Sequence, residues 1–343
     1  NLARDGVHYE PRWFNAWPPD KVSEIIRDDV KIPIGDLIYT ADGIQFGFEI
    51  CEDAWQKSKR PGYRLADRKV DLILNPSASH FAMGKSQLRE QEVVADGSGI
   101  FQCAYIFSNL LGNEAGRMIY DGDIIIGQHG KIVAVNKRLS FHHFKVLAVD
   151  VDFNDPSKTE SVPSTDNKDR NEELTQAVAL GLYDYLRKSK ARGFVVSLSG
   201  GADSSSCAIL AAEMVRRAAE ELGWEKFNKT LNIADSVKDW KSAVSELLTC
   251  AYQGTRNSSA ETFQAAQQLA QFLGAQFHSW EIDDEVTSYT TKIEKAIGRK
   301  LAWETDDVTL QNIQARTRSP IIWMLANVKR AVLLTTSNRS EGD

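Results

Sequence analysis

The chain has 343 residues, 42% hydrophobic and 26% charged, which suggests about two domains of an ordinary globular protein. Its 47 acidic and 41 basic side chains leave a formal net charge of −6, which argues against a nucleic-acid partner, since that would favour a basic face. No apolar run approaches the ~18 residues that a membrane-spanning helix needs.

In the first half, Ile44, Phe46, Phe48 and Ile50 alternate with Gln45, Gly47, Glu49 and Cys51, the period of a strand with one greasy face. Further strands are expected at Val70–Leu74, Phe101–Ser108, Asp123–Ile126 and Ile132–Val135, the last two joined as a hairpin through Gly127-Gln128-His129-Gly130. A mixed sandwich with flanking helices follows. Residues 154–171, NDPSKTESVPSTDNKDRN, hold two prolines, many small polar residues and one large apolar residue, the composition of a linker. An amphipathic helix is expected from Glu172, with Leu174, Ala177, Val178, Leu182 and Tyr185 near one face. Strands at Phe194–Leu198, Leu247–Tyr252, Ala275–Ile282 and Ala331–Thr336 then alternate with helices such as Ala260–Leu273 and Asn312–Lys329. This βαβ rhythm predicts a parallel sheet whose ligands sit beyond its strand C-termini.

The four cysteines, Cys51, Cys103, Cys207 and Cys250, lie far apart with no CxxC pair, and the six histidines form no metal-ligand spacing. A zinc site or a disulfide framework is not expected, and a cytoplasmic setting is. The most informative stretch is Phe194 to Cys207, FVVSLSGGADSSSC. A buried strand breaks at Ser199-Gly200-Gly201-Ala202-Asp203-Ser204, and an alanine-rich helix follows. Glycines bring main-chain N–H groups close to a ligand, and the helix adds the positive end of its dipole. The lysine of a Walker loop is missing. An acid, Asp203, stands at the helix entrance instead, which suggests a bridging cation such as Mg²⁺. The string resembles the SGGxDS loop of the ATP pyrophosphatases, which cleave ATP to AMP and pyrophosphate.

Cys51 ends the alternating strand and precedes Glu52 and Asp53. A lone thiol there is usually a half-buried core residue, and a nucleophile would need a cation or paired base to ionise. The surrounding words, DGVHYEPRWF at 5–14, GFEICEDAW at 47–55 and NPSASHF at 75–81, resemble the nitrilase-like glutaminase domain of the glutamine-dependent NAD⁺ synthetase family. That family places an SGGxDS synthetase domain after the amidase domain, the order found here. NIQAR at 312–316 and TTSNRSE at 335–341 are similar to its substrate and ATP segments.

The resemblance implies an α/β chain in two parts. Residues 1–153 would form an incomplete nitrilase-like α-β-β-α sandwich, 154–171 a linker, and 172–343 an incomplete Rossmann-like ATP-pyrophosphatase domain with a parallel sheet. The chain opens at Asn1 and stops at Asp343, just after TTSNRSE, so it reads as an internal piece of a longer protein. Cys51 matches the family's nucleophile and Glu10 a secondary acid, while the Glu and Lys of the nitrilase triad are expected before Asn1. Ser79 and Lys85 resemble glutamine-holding positions. Ser197, Leu198, Ser199, Gly200, Gly201, Ala202, Asp203, Ser204 and Thr336 resemble the ATP site, with Ser258 and Ser259 as weaker candidates. Asn312, Arg316 and Glu341 resemble contacts to deamido-NAD⁺, and Asp203 and Glu341 metal ligands. Arg318 is a further phosphate candidate, because a guanidinium fork suits phosphate oxygens. The implied partners are glutamine, ATP with Mg²⁺, and deamido-NAD⁺, in a homo-oligomer. Other ATP-pyrophosphatase amidotransferases, making GMP or asparagine, carry different glutaminase domains. A non-catalytic scaffold with both folds is the rival from another class.

Overall fold

The computed structural model describes residues 2, 9–114, 116, 118–164 and 169–337. The chain divides into two compact units, residues 1–177 and 178–343. Helices and strands mix in both, as the α/β expectation requires.

In the first unit, β1 (Val22–Arg27) and β2 (Val30–Gly35) form an antiparallel hairpin. The main sheet has six strands: β3 (Tyr39–Ala41), β4 (Ile44–Phe48), β5 (Leu72–Ser77), β6 (Ala104–Asn109), β9 (Ile124–Gln128) and β10 (Lys131–Val135). Their order is β10-β9-β6-β5-β4-β3, with β4, β5 and β6 parallel and the remaining pairings antiparallel. A short antiparallel pair, β7 (Leu111–Glu114) and β8 (Met118–Asp121), follows β6. Helices α1 (Gly62–Asp67), α2 (Lys85–Leu88) and α3 (Asp96–Phe101) complete this unit, with a π-helical turn at Arg89–Ala95. Ile73, Val93, Val94, Tyr105, Phe107 and Ile125 fill the core. The β9–β10 hairpin forms where its residues foretold it, with His129 and Gly130 both left-handed (φ 48° and 86°) as its two-residue turn demands.

Two expectations change. The stretch from Phe101 to Ser108 is not one strand. Phe101 ends α3, Gln102 turns the chain in the left-handed region (φ 51°), and β6 starts at Ala104. In β4 the alternation holds but its buried face is the other one. Phe48 and Ile50 are exposed, Gly47 packs beneath Leu65, and Glu49 is fully buried. Tyr39, Phe46 and Phe48 instead form an aromatic cluster with ring centroids 5.5–6.0 Å apart.

Helix α4 (Arg170–Ser189) carries the chain into the second unit. There β11 (Phe194–Ser197), β12 (Leu248–Gly254), β13 (Gln276–Glu281) and β14 (Val332–Leu334) form an all-parallel sheet of order β13-β12-β11-β14. Its helices are α5 (Ala202–Leu222), α6 (Trp224–Leu231), α7 (Trp240–Leu247), α8 (Ala260–Leu273), α9 (Asp283–Ile297) and α10 (Trp303–Lys329). Alanines 208, 211, 212, 218 and 219 of α5 are buried, so this long helix has a close-packing face. Strand order reverses at β11, which has β12 on one side and β14 on the other. A parallel sheet binds its ligands at such a switch point, outside the strand C-termini.

Candidate active sites

In the first unit, β4 delivers the chain to Cys51, which opens a short 3₁₀ turn, Cys51–Trp55. Cys51 holds φ at 48°, the left-handed region that a side chain occupies at a cost, and such strain gathers at functional positions. The neighbours hold it there. The Ile50 N–H donates to Asp53 Oδ2 at 2.9 Å, and the Asp53 N–H to the Ile50 carbonyl at 3.0 Å. On the other side of Cys51, the buried Glu49 carboxylate accepts from Arg60 Nη2 (2.8 Å), the Gly62 N–H (2.7 Å) and the Tyr105 hydroxyl (2.7 Å). Burial opposes the Arg60 charge, but Glu49 more than offsets it and raises the guanidinium pKa. Tyr105 in turn accepts from Asn75 (3.0 Å), whose carbonyl oxygen accepts from the Ser77 hydroxyl (2.6 Å).

Cys51 borders a cavity of about 1310 Å³ that Glu10, Glu52, Ser77, Ser79 and Lys85 also line. The sequence-derived candidates Glu10, Cys51, Ser79 and Lys85 therefore share one space. Burial pushes the Lys85 ammonium pKa down and the nearby Arg89 charge adds to this, while Asp121, Cys51 and Glu52 pull it back up. A cation within electrostatic reach of the thiol is what an activated cysteine needs. The other cysteines suit this role poorly. Burial pushes the Cys103 and Cys250 thiols up to about 12, and burial together with Asp203 raises Cys207.

In the second unit, the loop after β11 leaves the sheet at its switch point. Gly200 takes φ 80°, and a Cβ there would lie 2.4 Å from the Thr262 carbonyl oxygen, so only glycine fits. The buried Ser204 hydroxyl donates to the Gly201 carbonyl (3.2 Å), accepts from the Ser199 N–H (3.2 Å) and lies 3.0 Å from the Ser199 hydroxyl. Ser204 thus shapes the loop, and the Leu198 side chain is buried in the core. Ser199, Gly201, Ala202 and Asp203 are exposed. Helix α5 starts at Ala202, which puts Asp203 in its first turn. Ser197 ends β11 and accepts from Gln253 Nε2 at 3.0 Å. Thr336 follows β14, at the same end of the sheet.

Asn312 and Arg316 lie one turn apart on α10 and are exposed. Arg318 is already committed: it donates to the Gln253 carbonyl (3.1 Å) and the Gln314 carbonyl (2.9 Å) and so fixes α10 against the end of β12. Ser258 and Ser259 also have local duties. Ser258 accepts from the Thr255 N–H at 2.9 Å, and Ser259 caps α8 by accepting from the Thr262 N–H at 3.3 Å. Glu341 lies outside the described residues. Among the described residues, no cluster of three or more His, Cys, Asp or Glu side chains could hold a metal, and no helix is long and apolar enough to cross a membrane.

Residues 174–342 match the family model for NAD synthase. The chain is 46% identical to a glutamine-dependent NAD(+) synthetase from Cytophaga hutchinsonii, whose crystal structure superposes with a TM-score of 0.88 over all of this chain and 56% of that one. The chain is a homologue of the glutamine-dependent NAD(+) synthetases. It is 26% identical to the human glutamine-dependent NAD(+) synthetase over 95% of this chain and 54% of that protein. With the Oryza sativa subsp. indica enzyme it shares 27% identity over its whole length and 55% of that protein. The chain thus spans about half the length of the curated relatives it matches. A glutamine-dependent NAD+ synthetase from Acinetobacter baumannii, solved with ADP, shares the fold at 23% identity and a TM-score of 0.75.

Sequence reasoning missed the buried Glu49–Arg60 pair and a second group around Arg89, Asp121 and Asn109. Acids at 49, 121 and 123 were visible in the sequence, but their partners lie far away along the chain.

Proposed function

We propose that this chain carries the glutaminase and synthetase centres of an enzyme that amidates deamido-NAD⁺ to NAD⁺. Residues 1–153 are the nitrilase-like amidase part and 172–343 the ATP-pyrophosphatase part, joined at 154–171. Cys51 attacks the side-chain amide carbon of glutamine. The amide C–N bond breaks, ammonia leaves with a proton, and water then cleaves the thioester to glutamate and the free thiol. Ser79 and Lys85 hold the glutamine, and Glu10 helps order the site. In the second centre, the nicotinate carboxylate of deamido-NAD⁺ attacks the α-phosphorus of ATP and pyrophosphate leaves. Ammonia displaces AMP from the mixed anhydride, a far better leaving group than a carboxylate oxygen.

The main chain at Ser199–Asp203, Ser197, Thr336 and the exposed Asn312 and Arg316 would receive the nucleotides, with Glu341 beside deamido-NAD⁺. Mg²⁺ fits this oxygen-rich site, but Asp203 is the one carboxylate the described loop offers, so phosphate and water would supply most of its ligands. When bound, it would offset charge on the pyrophosphate. A homo-oligomer in the cytoplasm accords with the family.

The observation that carries this reading is the left-handed Cys51 on the wall of a cavity shared with Ser79 and Lys85, in a chain 46% identical to a glutamine-dependent NAD(+) synthetase. It is tested with Cys51→Ala in the full-length protein. Glutamine-driven NAD⁺ formation should fall by roughly 10⁴-fold or more, as when other covalent nucleophiles are removed. Synthesis from added ammonium should persist. Equal loss with both donors would contradict the assignment of two centres.

A further inference from the structure

Strand β5 ends at Ser77, paired with Asn109 of β6. Two residues on, Ser79 has left the ladder, yet its main chain is still paired. The Ser79 N–H donates to Asn109 Oδ1 at 2.8 Å, and Asn109 Nδ2 donates back to the Ser79 carbonyl at 2.8 Å. One side-chain amide does the work of a strand. Arg89 adds to it, with Nη2 donating to the carbonyls of Ser79 (3.0 Å) and His80 (3.4 Å). Lys85 Nζ reaches the same His80 carbonyl at 3.2 Å.

The two clamps share an anchor. Arg89 Nη1 donates to Asp121 Oδ2 (2.6 Å) and Asp123 Oδ2 (3.2 Å), and Asn109 Nδ2 donates to Asp121 Oδ1 (2.6 Å). Arg89, Asp121 and Asp123 are all fully buried, and Arg89 also lies over the Phe107 ring at 5.3 Å. Buried charge of this kind is costly, and an apolar filling of equal volume would often be at least as stable. Its use is therefore sought in what it holds, and it holds one wall of the Cys51 cavity.

We infer that Asn109 and Arg89 are positioning residues for the amide substrate: they fix the Ser79–His80 main chain, and through it Ser79 and Lys85, against Cys51. This rests on the glutaminase reading of the cavity. Arg89 has a second effect through its charge, because it stands one helical turn from Lys85 and helps hold that ammonium's pKa down.

The test compares Asn109→Ala with Arg138→Met in the full-length protein. Arg138 belongs to the same buried charge group, 3.9 Å from Asp121 and 2.8 Å from Glu173, but makes neither of these clamps. Asn109→Ala should raise the KM for glutamine by roughly ten- to a hundredfold, the scale set by small misplacements of a substrate. The rate is normalised to ammonium-driven synthesis on the same preparation. Arg138→Met should lower the melting temperature and leave that KM in place. Arg89→Met should move the alkaline limb of glutamine hydrolysis to higher pH, and Arg89→Lys should restore it. A KM within twofold of the parent for Asn109→Ala, or the same rise in both variants at equal loss of stability, would overturn the inference. Iodoacetamide, which carries a carboxamide, and methanethiosulfonate, which does not, give a readout free of the glutaminase assay. Asn109→Ala should slow Cys51 alkylation by the first relative to mixed-disulfide formation with the second. A parent protein that hydrolyses no glutamine would sink the proposed function, while an unchanged reagent ratio would sink the positioning role.

Discussion

The two candidate centres are ordered in opposite ways. Around Cys51 the charges are paired and buried. Arg60–Glu49 and Arg89–Asp121 are at most 6% exposed and at most 2.8 Å apart, and they lie behind the walls that carry Cys51 and Ser79. Among the described residues, the loop after β11 has no such brace. Its shape comes from glycine, local serine hydrogen bonds and a helix start, and Ser199 and Asp203 face solvent. The Arg216–Glu213 and Arg256–Asp283 pairs of that unit each keep their arginine at least 42% exposed and are therefore weaker and screened by salt. A covalent reaction at one sulfur needs its partners in place beforehand. A nucleotide brings its own charge and can be met by main-chain N–H groups and a cation. The expense of buried charge falls on the unit where geometry matters most.

The comparison breaks if the loop behaves like the braced site. Asp203→Asn keeps the size of the side chain and removes its charge. It should slow NAD⁺ synthesis about a hundredfold with glutamine and with ammonium alike, the scale of lost charge stabilisation in a transition state. ATP–pyrophosphate exchange with deamido-NAD⁺ isolates the step. Normal exchange with unchanged Mg²⁺ dependence would make Asp203 only a favourable acid at a helix start.

Stability sharpens it next. Arg60→Ala strands the buried Glu49 carboxylate and should cost about 3–5 kcal/mol. Arg216→Ala removes a partly exposed pair and should cost about 1 kcal/mol or less. Urea unfolding of the two variants would show whether the contrast is real.

The buried charge of the first unit should also show in pH. Burial, with Asp121 beside it, raises the Asp123 carboxyl to about 7. Above its unfolded pKa of about 4, the native state then binds more protons at this group than the unfolded state does. Its contribution to stability should therefore fall as pH rises from about 4 and level off above about 7. Asp123→Asn should remove that slope, which melting temperatures across the range would reveal.

How much was legible in the sequence follows from how local each feature is. SGGADS was readable because strand, glycines and helix start are consecutive, and the structure places them so. The strand leading to Cys51 was readable from its alternation, but its buried face was not. Glu49 turns inward because Arg60, 11 residues on, and Tyr105, 56 residues on, meet it there. The clamp on Ser79 needs Asn109 and Arg89, 30 and 10 residues away, which no local pattern links. Arg316 and Arg318 looked equivalent as phosphate partners. Only packing against β12 shows Arg318 spent on main-chain carbonyls and Arg316 left exposed.

In the proposed function, nitrogen released by Cys51 chemistry is consumed by the SGGADS centre. Glutamine labelled with ¹⁵N at its side-chain amide, given with ATP and deamido-NAD⁺ to the full-length protein, tests it directly. NAD⁺ should be one mass unit heavier in its nicotinamide carboxamide, with AMP and glutamate formed alongside, and Cys51→Ala should give no labelled NAD⁺. Unlabelled NAD⁺, or label incorporated at the parent rate by Cys51→Ala, would contradict it.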